Sequence, residues 1–200
     1  VVLKLERPNA IKAWRDLMGP TNYETARKES PNSIRALYGK NMTENASHGS
    51  DSPQSAAREL KFFFPIEQTL AIIKPHAVPK ADEIIAKIVG AGFNILAQQR
   101  LKLSPARAEA FYAEHKGKGF FGELVGMMTS DDVIVLRLEK ENAIADWHKL
   151  MGPTKVEVAK KEAPNSIRAL FGKNVTENAS HGSDSPVSAA REINFFFSSA

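Results

Sequence analysis

The chain has 200 residues, of which 42% are hydrophobic and 25% are charged, as is ordinary for a globular protein of one or two domains. The net charge is +4 with basic and acidic residues interspersed, which favours small anionic ligands over specific nucleic-acid binding. The lack of cysteine excludes disulfides and thiolate metal sites, and no apolar stretch has the length of a transmembrane helix, so we expect no membrane association.

Residues 1–64 repeat as residues 134–197, with roughly seven positions in ten identical. A repeat of this length is far too long for a solenoid unit and indicates a duplicated domain. In the first copy residues 1–5 read as a strand without a preceding partner, whereas about 65 residues precede the equivalent strand of the second copy. A lone strand can neither pair its backbone groups nor bury its apolar face.

We therefore expect residues 1–65 to be the C-terminal half of a first domain and residues 66–200 to be a complete second domain. This organisation predicts a native polypeptide that is longer at its N-terminus. The alternative is a short form that borrows strands from another subunit, although such a half-domain would expose its sheet edge.

From residue 66 onward, apolar patterning predicts strands at 69–74, 93–103 and 133–138. Helices are predicted at 81–91, 104–115, 120–128, 142–151, 154–163, 164–168 and 185–197. With a further strand before the last helix, the element order is β-α-β-α-α-β-α-(α)-β-α. This alternation is typical of an α/β (α+β) sandwich, and periodicity alone goes no further.

One octapeptide, Asn-Ala-Ser-His-Gly-Ser-Asp-Ser, occurs at both 178–185 and 45–52. In the second copy Ser185 can cap the last helix, and Pro186 suits its first position. Free N–H groups and the positive end of the helix dipole would then favour an anion beside the imidazole of His181. A lone loop histidine usually has no such role, but one beside a phosphate site can accept a phosphoryl group and pass it on.

The octapeptide resembles the active-site signature of the nucleoside diphosphate kinase family, in which the histidine is phosphorylated. The similarity covers essentially all of residues 66–197, and residues 1–64 as a C-terminal half. It implies a ferredoxin-like split βαβ fold with an antiparallel sheet, present in tandem. The segment Pro164–Arg168, with about three residues inserted before it, resembles the multi-domain axonemal members of the family, some of which are fused to thioredoxin domains.

The resemblance implies that His181 is the catalytic nucleophile and that Glu192 orients it. It also implies a set of nucleotide-binding residues for the base, ribose and phosphates, namely Lys74, Tyr112, His115, Phe120, Leu124, His148, Thr154, Arg168 and Asn178. In this set Phe120 would stack on the base with Leu124 beside it, and Asn178 would bond the ribose. Outside the family context, Tyr112 could equally be a core residue, and Lys74 a solvated strand end.

The first copy retains the catalytic pair His48 and Glu59. Its retained nucleotide-binding positions are Arg15, Thr21, Arg35 and Asn45. The equivalents of Lys74, Tyr112 and Phe120 lie outside the chain. No acidic cluster suggests a metal held by the protein, so Mg²⁺ should arrive with ATP or the nucleoside diphosphate.

Two substitutions depart from the family pattern inside the expected site. The family's Lys-Pro-Asp-Gly is Lys74-Pro75-His76-Ala77, and His148 replaces a phosphate-binding arginine that the first copy keeps as Arg15. Histidine is shorter and largely neutral at pH 7, so it is a poorer clamp for phosphate. Lys118-Gly119 also replaces the more usual Arg-Pro.

Two hypotheses follow. The first is a Mg²⁺-dependent, ping-pong transfer of γ-phosphate between nucleotides. The second is a catalytically weak or inactive scaffold of the same fold in a ciliary or axonemal assembly. The expected partners are nucleoside di- and triphosphates, a paired domain or further subunits, and, under the second hypothesis, axonemal proteins. The expected location is the cytoplasm, including the axoneme of a cilium or flagellum.

Overall fold

The structure, a computed structural model, describes residues 1–198 and divides into two compact units, Val1–Pro65 and Ile66–Ala200. The first unit contains helices α1 (Ala10–Met18), α2 (Tyr23–Glu29), α3 (Ile34–Tyr38) and α4 (Pro53–Phe63). The strand predicted at residues 1–5 is wrong, because residues 1–6 have no regular secondary structure. The physical reason is that residues 1–65 form no other strand with which this segment could exchange hydrogen bonds.

The second unit is built on a four-stranded sheet. Its strands are β1 (Ile66–Ile73), β2 (Asn94–Lys102), β3 (Asp132–Glu141) and β4 (Ser180–Gly182). The strand order is β2-β3-β1-β4, and every neighbouring pair is antiparallel. The predicted fold class, an α+β sandwich with an antiparallel sheet, is therefore confirmed.

The helices of this unit are α5 (Ala81–Gly90), α6 (Pro105–Phe111), α7 (Phe121–Thr129), α8 (Ala143–Met151), α9 (Val156–Glu162), α10 (Ile167–Phe171) and α11 (Pro186–Phe197). Short 3₁₀ turns span Pro75–Lys80 and Ala113–His115. The helix predicted at 104–115 is thus shorter than expected, since α6 ends at Phe111. The short helix predicted at 164–168 begins later than expected, because α10 spans Ile167–Phe171.

Alternation along β1 gives the sheet two buried faces. Ala71 and Ile73 lie in one apolar cluster with residues of α5 and α8, including Ile84 and Trp147. Leu70 and Ile72 lie in a second cluster with residues of α6, α7 and α11. Because both faces are covered, the central strands are continuously apolar. Polar residues lie along β4 and directly after the end of β1.

Candidate active site

The signature segment is fixed by a tight turn immediately before β4. Ala179 has a left-handed φ of 70°, and the Ser180 N–H donates to the Asn178 carbonyl over 2.9 Å. A three-residue turn with positive φ is the strained γ form, and strain of this kind is held only where surrounding contacts impose it. β4 then pairs with β1, with His181 opposite Ile72.

Gly182 lies so close to α8 that only a glycine fits. A Cβ atom added there would overlap the indole of Trp147 and lie 2.7 Å from the Met151 methyl carbon. The same indole donates its Nε1–H to the carbonyl of His181 over 3.1 Å. Close packing and a hydrogen bond, both made by the indole of Trp147, therefore set the backbone that carries the imidazole.

Glu192 orients the ring of His181. The imidazole Nε2 lies 3.0 Å from the Glu192 Oε2, which also accepts the Ser183 hydroxyl over 2.8 Å. Burial alone would raise the pKa of Glu192, but the hydrogen bonds and charge of His181, the Ser183 hydroxyl and the charge of Arg191 outweigh it and lower that pKa. An ionised carboxylate only accepts, so Nε2 carries the ring proton and Nδ1 keeps a free lone pair.

The start of α11 has the predicted cap. The Ser185 hydroxyl accepts from the Ser188 N–H over 3.1 Å, the Ser188 hydroxyl bonds back to the Ser185 backbone, and Pro186 takes the first helical position. The other N–H groups of this first turn and the helix dipole make the end of α11 favourable for an anion.

Arg168 is buried and held by three acceptors. Its guanidinium donates to the carbonyl of Gly152 over 2.8 Å, the hydroxyl of Thr154 over 3.3 Å and the carbonyl of Ser180 over 3.3 Å. Burial lowers its pKa, but a guanidinium stays charged at neutral pH. The Asn178 amide reaches the Thr154 carbonyl over 3.4 Å, so these expected ligands lie together.

Lys74 lies at the end of β1 with its side chain buried. Its ammonium donates to the carbonyl of Thr176 over 2.9 Å. Burial, and then the charge of Arg168, lower the pKa of Lys74 to about 7. Lys74 is therefore buried next to the segment that leads into the signature, and the solvated alternative is wrong.

The opposite wall of the site is aromatic. The Tyr112 ring lies edge-on to His181 with 6.0 Å between ring centroids, and it stacks on His115 at 6.0 Å. Phe120 follows, 5.7 Å from the His115 ring and 49% exposed, while Leu124 is buried one helical turn later. Because α6 ends before Tyr112, a cap and a 3₁₀ turn present these rings, and not the single helix that was predicted at 104–115.

Several buried polar atoms around His181 have no hydrogen-bond partner among residues 1–198. They are Tyr112 Oη, Arg168 Nε, Asn178 Oδ1 and Ser180 Oγ, and the first unit repeats two of them as Arg35 Nε and Ser47 Oγ. Buried polar groups in native proteins are nearly always satisfied, so each such group calls for an explanation such as water or a ligand. A polar ligand bound between them is one such explanation.

His148, which stands where the family has a phosphate-binding arginine, is already in contact with protein groups through its ring Nε2. Its Nε2 lies 3.0 Å from the Ser183 carbonyl and 3.5 Å from the Asp184 carboxylate. His148 and Asp184 both line an open groove of about 450 Å³ beside Asn142. The equivalent groove of the first unit contains Arg15 and Asp51.

The first unit repeats the central contacts of the second. His48 Nε2 lies 3.1 Å from Glu59 Oε2, which accepts the Ser50 hydroxyl over 2.8 Å. The Arg35 guanidinium reaches the carbonyls of Gly19 and Ser47 at 2.8 and 3.1 Å and the Thr21 hydroxyl at 3.4 Å, and Asn45 opens a turn like that at Asn178. The imidazole of His48 is 80% exposed, whereas that of His181 is 20% exposed. The two histidines therefore differ in solvation and share geometry.

Three residues that contact the site were not predicted from the sequence as site residues. The indole of Trp147 donates a hydrogen bond to the His181 carbonyl, and the Ser183 hydroxyl donates one to the carboxylate of Glu192. His76 accepts the N–H of Ala179 over 3.2 Å. The signal for the tryptophan was available, since both copies keep it, as Trp14 and Trp147. The contact of His76 had no such signal, because it depends on how the chain after β1 meets the signature segment.

Within residues 1–198, no group of three or more histidine, aspartate or glutamate side chains is arranged to hold a metal ion. Nor does any helix in that range have the length and apolarity needed to cross a membrane.

Comparison with known proteins places this geometry in a family. The sequence model of the nucleoside diphosphate kinase family matches residues 1–66 and 67–200. The chain is 42% identical over 199 residues to thioredoxin domain-containing protein 6 of Xenopus laevis, covering 98% of this chain and 32% of the frog protein. It is 48% identical over 134 residues to nucleoside diphosphate kinase of Sorangium cellulosum, covering 66% of this chain and 91% of that protein.

Among solved structures, a crystal form of the Aquifex aeolicus nucleoside diphosphate kinase matches with a TM-score of 0.65 and 44% identity. The match covers 66% of this chain and 96% of the Aquifex chain. The chain thus covers nearly all of the Aquifex chain but only about a third of the length of the Xenopus protein.

Proposed function

Because the chain belongs to the nucleoside diphosphate kinase family, we propose that residues 66–200 transfer the γ-phosphoryl group of a nucleoside triphosphate to a nucleoside diphosphate through phosphohistidine. Family membership and fold support a phosphotransfer reaction in general. The observation that carries the specific proposal is the hydrogen bond between His181 Nε2 and the buried carboxylate of Glu192.

That hydrogen bond defines the nucleophile. With the proton fixed on Nε2, the Nδ1 lone pair of His181 attacks the γ-phosphorus, an N–P bond forms, and the bond to the bridging oxygen breaks to release the diphosphate. The ring becomes positively charged as the N–P bond forms, and the Glu192 carboxylate, 3.0 Å away, stabilises that charge. A second nucleoside diphosphate attacks the phosphohistidine in the reverse sense, which gives ping-pong kinetics.

Fixed positive charge would receive the phosphates. Arg168 is held by three protein acceptors, and its donor Nε has no partner among residues 1–198. Lys74 stands at the end of β1, and an approaching phosphate favours its protonated form. These groups need little reorganisation on binding, which is how a protein contributes to phosphoryl transfer. Thr154 lies beside Arg168, Asn178 contacts Thr154, and His115 stacks on Tyr112 at the aromatic wall; these three residues would complete the proposed phosphate and ribose contacts.

The base would bind at the aromatic wall. Phe120 exposes about half of its surface and has the buried Leu124 one turn further along α7. Stacking on an aromatic face accepts any base, because every base has a π face. We therefore propose a site without strong preference among nucleobases.

We propose that Mg²⁺ enters as part of the nucleotide substrate, bound to its phosphates, as membership of the nucleoside diphosphate kinase family implies. When bound there, the ion offsets the charge of the phosphates. The protein groups described above orient the nucleotide and the imidazole.

The test is labelling with γ-³²P-ATP of the purified chain, beside His181→Ala, His48→Ala and the double variant. We expect label that is stable in alkali, lost in acid, absent from His181→Ala and chased off by a nucleoside diphosphate. Label that persists in His181→Ala but disappears in His48→Ala would show that His48 of the first unit is the labelled residue. A wild-type chain that binds nucleotide but takes no label would contradict the proposal.

A second candidate function is an assembly role without efficient catalysis. The observation that favours it is the engagement of His148 by the Ser183 carbonyl and the Asp184 carboxylate, in place of an arginine free to bind phosphate. Nucleotide binding without labelling would favour this candidate. Under it, axonemal proteins would be the partners, and the location in the cytoplasm or an axoneme stays a prediction.

Nucleoside diphosphate kinases often form oligomers, and we propose that the chain pairs its two copies or associates with further subunits. Sedimentation velocity of the native protein would contradict this if it showed a monomer whose two domains behave independently.

A further inference from the structure

The strained turn before His181 leaves two polar groups of Ala179 to be satisfied from outside the turn. The segment after β1 supplies both partners. The Lys74 N–H donates to the Ala179 carbonyl over 2.9 Å, and the Ala179 N–H donates to the imidazole Nε2 of His76 over 3.2 Å. Ala179 itself is fully buried, so no water can replace either contact without a rearrangement.

His76 is placed to accept that hydrogen bond only while its ring is neutral. Its side chain is 4% exposed. Since Nε2 accepts the Ala179 N–H, the ring proton must lie on Nδ1, which has no hydrogen-bond partner within residues 1–198. Protonation of Nε2 would place two N–H groups head to head and break the contact.

The charged groups around His76 come from both sides of the contact. Glu177 faces it from the segment before the signature, with Oε1 3.9 Å from Nδ1, and Lys173 lies beyond, 3.6 Å from the same carboxylate oxygen. Lys74 precedes it in its own segment. Burial lowers the pKa of His76, Glu177 opposes that shift, and the charges of Lys173 and Lys74 add to it.

We propose that His76 is a positioning residue for phosphoryl transfer, because its neutral imidazole holds the Asn178–Ala179–Ser180 turn and thereby places His181, and that protonation of His76 releases this turn. The effect on transfer rests on the proposed function. The structural effect on the turn does not, and the two can be measured separately.

The direction of the pH dependence follows from the lowered pKa of His76. The contact with Ala179 is complete above pH 6.5, the ordinary value for histidine, and it is lost as the pH falls through the lower value of the folded protein. Transfer by the second unit should therefore decline on acidification in step with His76. A side chain that accepts a hydrogen bond but does not titrate should remove that part of the decline.

The first experiment is ¹⁵N NMR of the full chain between pH 5 and pH 8. We expect His76 to show an unprotonated Nε2 and a protonated Nδ1 at pH 7, and the Ala179 amide resonance to move with the protonation of His76. In His76→Gln, whose terminal amide oxygen can replace Nε2 as acceptor, the Ala179 amide should lose that titration. A proton on Nε2 at pH 7, or the same Ala179 titration in His76→Gln, would overturn the proposal.

The second experiment measures the rate of phosphohistidine formation across the same pH range, in a His48→Ala background that isolates the second unit. We expect His76→Phe, which has no acceptor, to lower the rate about ten- to hundredfold, as misplacement of a reacting group does. His76→Gln should restore most of the rate and remove the part of the acid decline that follows the protonation of His76. Equal rates and equal pH profiles in all three chains would overturn the positioning role. Absence of label from the parent chain would instead contradict the proposed function, and the NMR titration would still decide the contact of His76 with Ala179.

Discussion

Glu192→Gln tests the central contact of the site. The substitution keeps the size of the side chain but removes the negative charge that faces His181 Nε2 at 3.0 Å. The new amide can also present its NH₂ group to Nε2, which would force the ring proton onto Nδ1 and occupy the nucleophilic atom. Both consequences should lower the rate of the proposed phosphorylation of His181.

The magnitude of this loss is bounded by two estimates. A hydrogen bond to a charged group contributes about 1.5–3 kcal/mol and a neutral one about 0.5–1.5 kcal/mol, so the midpoints of the two ranges differ by about 1.3 kcal/mol, or nearly tenfold in rate, which we take as the lower limit. A full charge on the ring about 4 Å from the carboxylate would interact by about 4 kcal/mol at an effective dielectric constant of ~20, or about a thousandfold. We expect a loss between these limits.

The assay is single-turnover labelling with γ-³²P-ATP in a His48→Ala background, with nucleotide affinity measured in parallel by calorimetry. The rate should fall while the affinity stays within about twofold, because Glu192 acts on the imidazole and not on the nucleotide. Glu157→Gln is the matched control, since it makes the same change in net charge on a side chain that is 84% exposed. A Glu192→Gln rate within about twofold of the parent would refute the assigned role of the carboxylate.

Three further outcomes are expected. Gly182→Ala should lower the free energy of unfolding by about 1–3 kcal/mol in urea, because its methyl group would overlap the indole of Trp147, whereas Gly126→Ala, on a helix with open space around it, should not. Without nucleotide, the free energy of unfolding should rise by about 1 kcal/mol per pH unit from pH 7 toward pH 10. The reason is that the pKa of Lys74 is about 7 in the folded protein and 10.5 ordinarily, so the unfolded chain binds more protons in this range. Lys74→Met should remove this slope. His148→Arg should tighten ADP binding by about three- to tenfold in calorimetry, and an unchanged affinity would mean that the position does not reach phosphate.

The repeat and the octapeptide could be recognised from the sequence alone, because each is a pattern of residue types along the chain. An octapeptide that occurs twice, followed by a serine and a proline, predicts a capped helix next to a histidine, and the capping contacts of Ser185 and Pro186 confirm that helix start. The α+β class also follows from local patterning, since apolar runs of strand length alternate with helical spacing. The orientation of the His181 ring could not be predicted from local pattern, because its partner Glu192 is eleven residues away and only the family resemblance paired the two residues.

Helix ends and the first strand show where local patterning fails. The apolar run Val1–Leu5 has strand character, yet it forms no strand, because a strand exists only through hydrogen bonds to another strand. The helix that carries Phe111 ends there and not at His115, so the rings of Tyr112 and His115 are presented by a cap and a 3₁₀ turn.

The sequence by itself determined the internal repeat, the class of the fold and the choice of His181 as the candidate for phosphorylation, because each of these depends on residues close together in the chain or on a repeated pattern. Only the tertiary structure decided the partners of His76 and His148 and the burial of Lys74. These depend on the meeting of segments that are about 100 residues apart for Lys74 and His76 and 35 apart for His148. Side-chain contacts across such distances are set by how β1, β4 and α8 pack, and no spacing within any one segment encodes them.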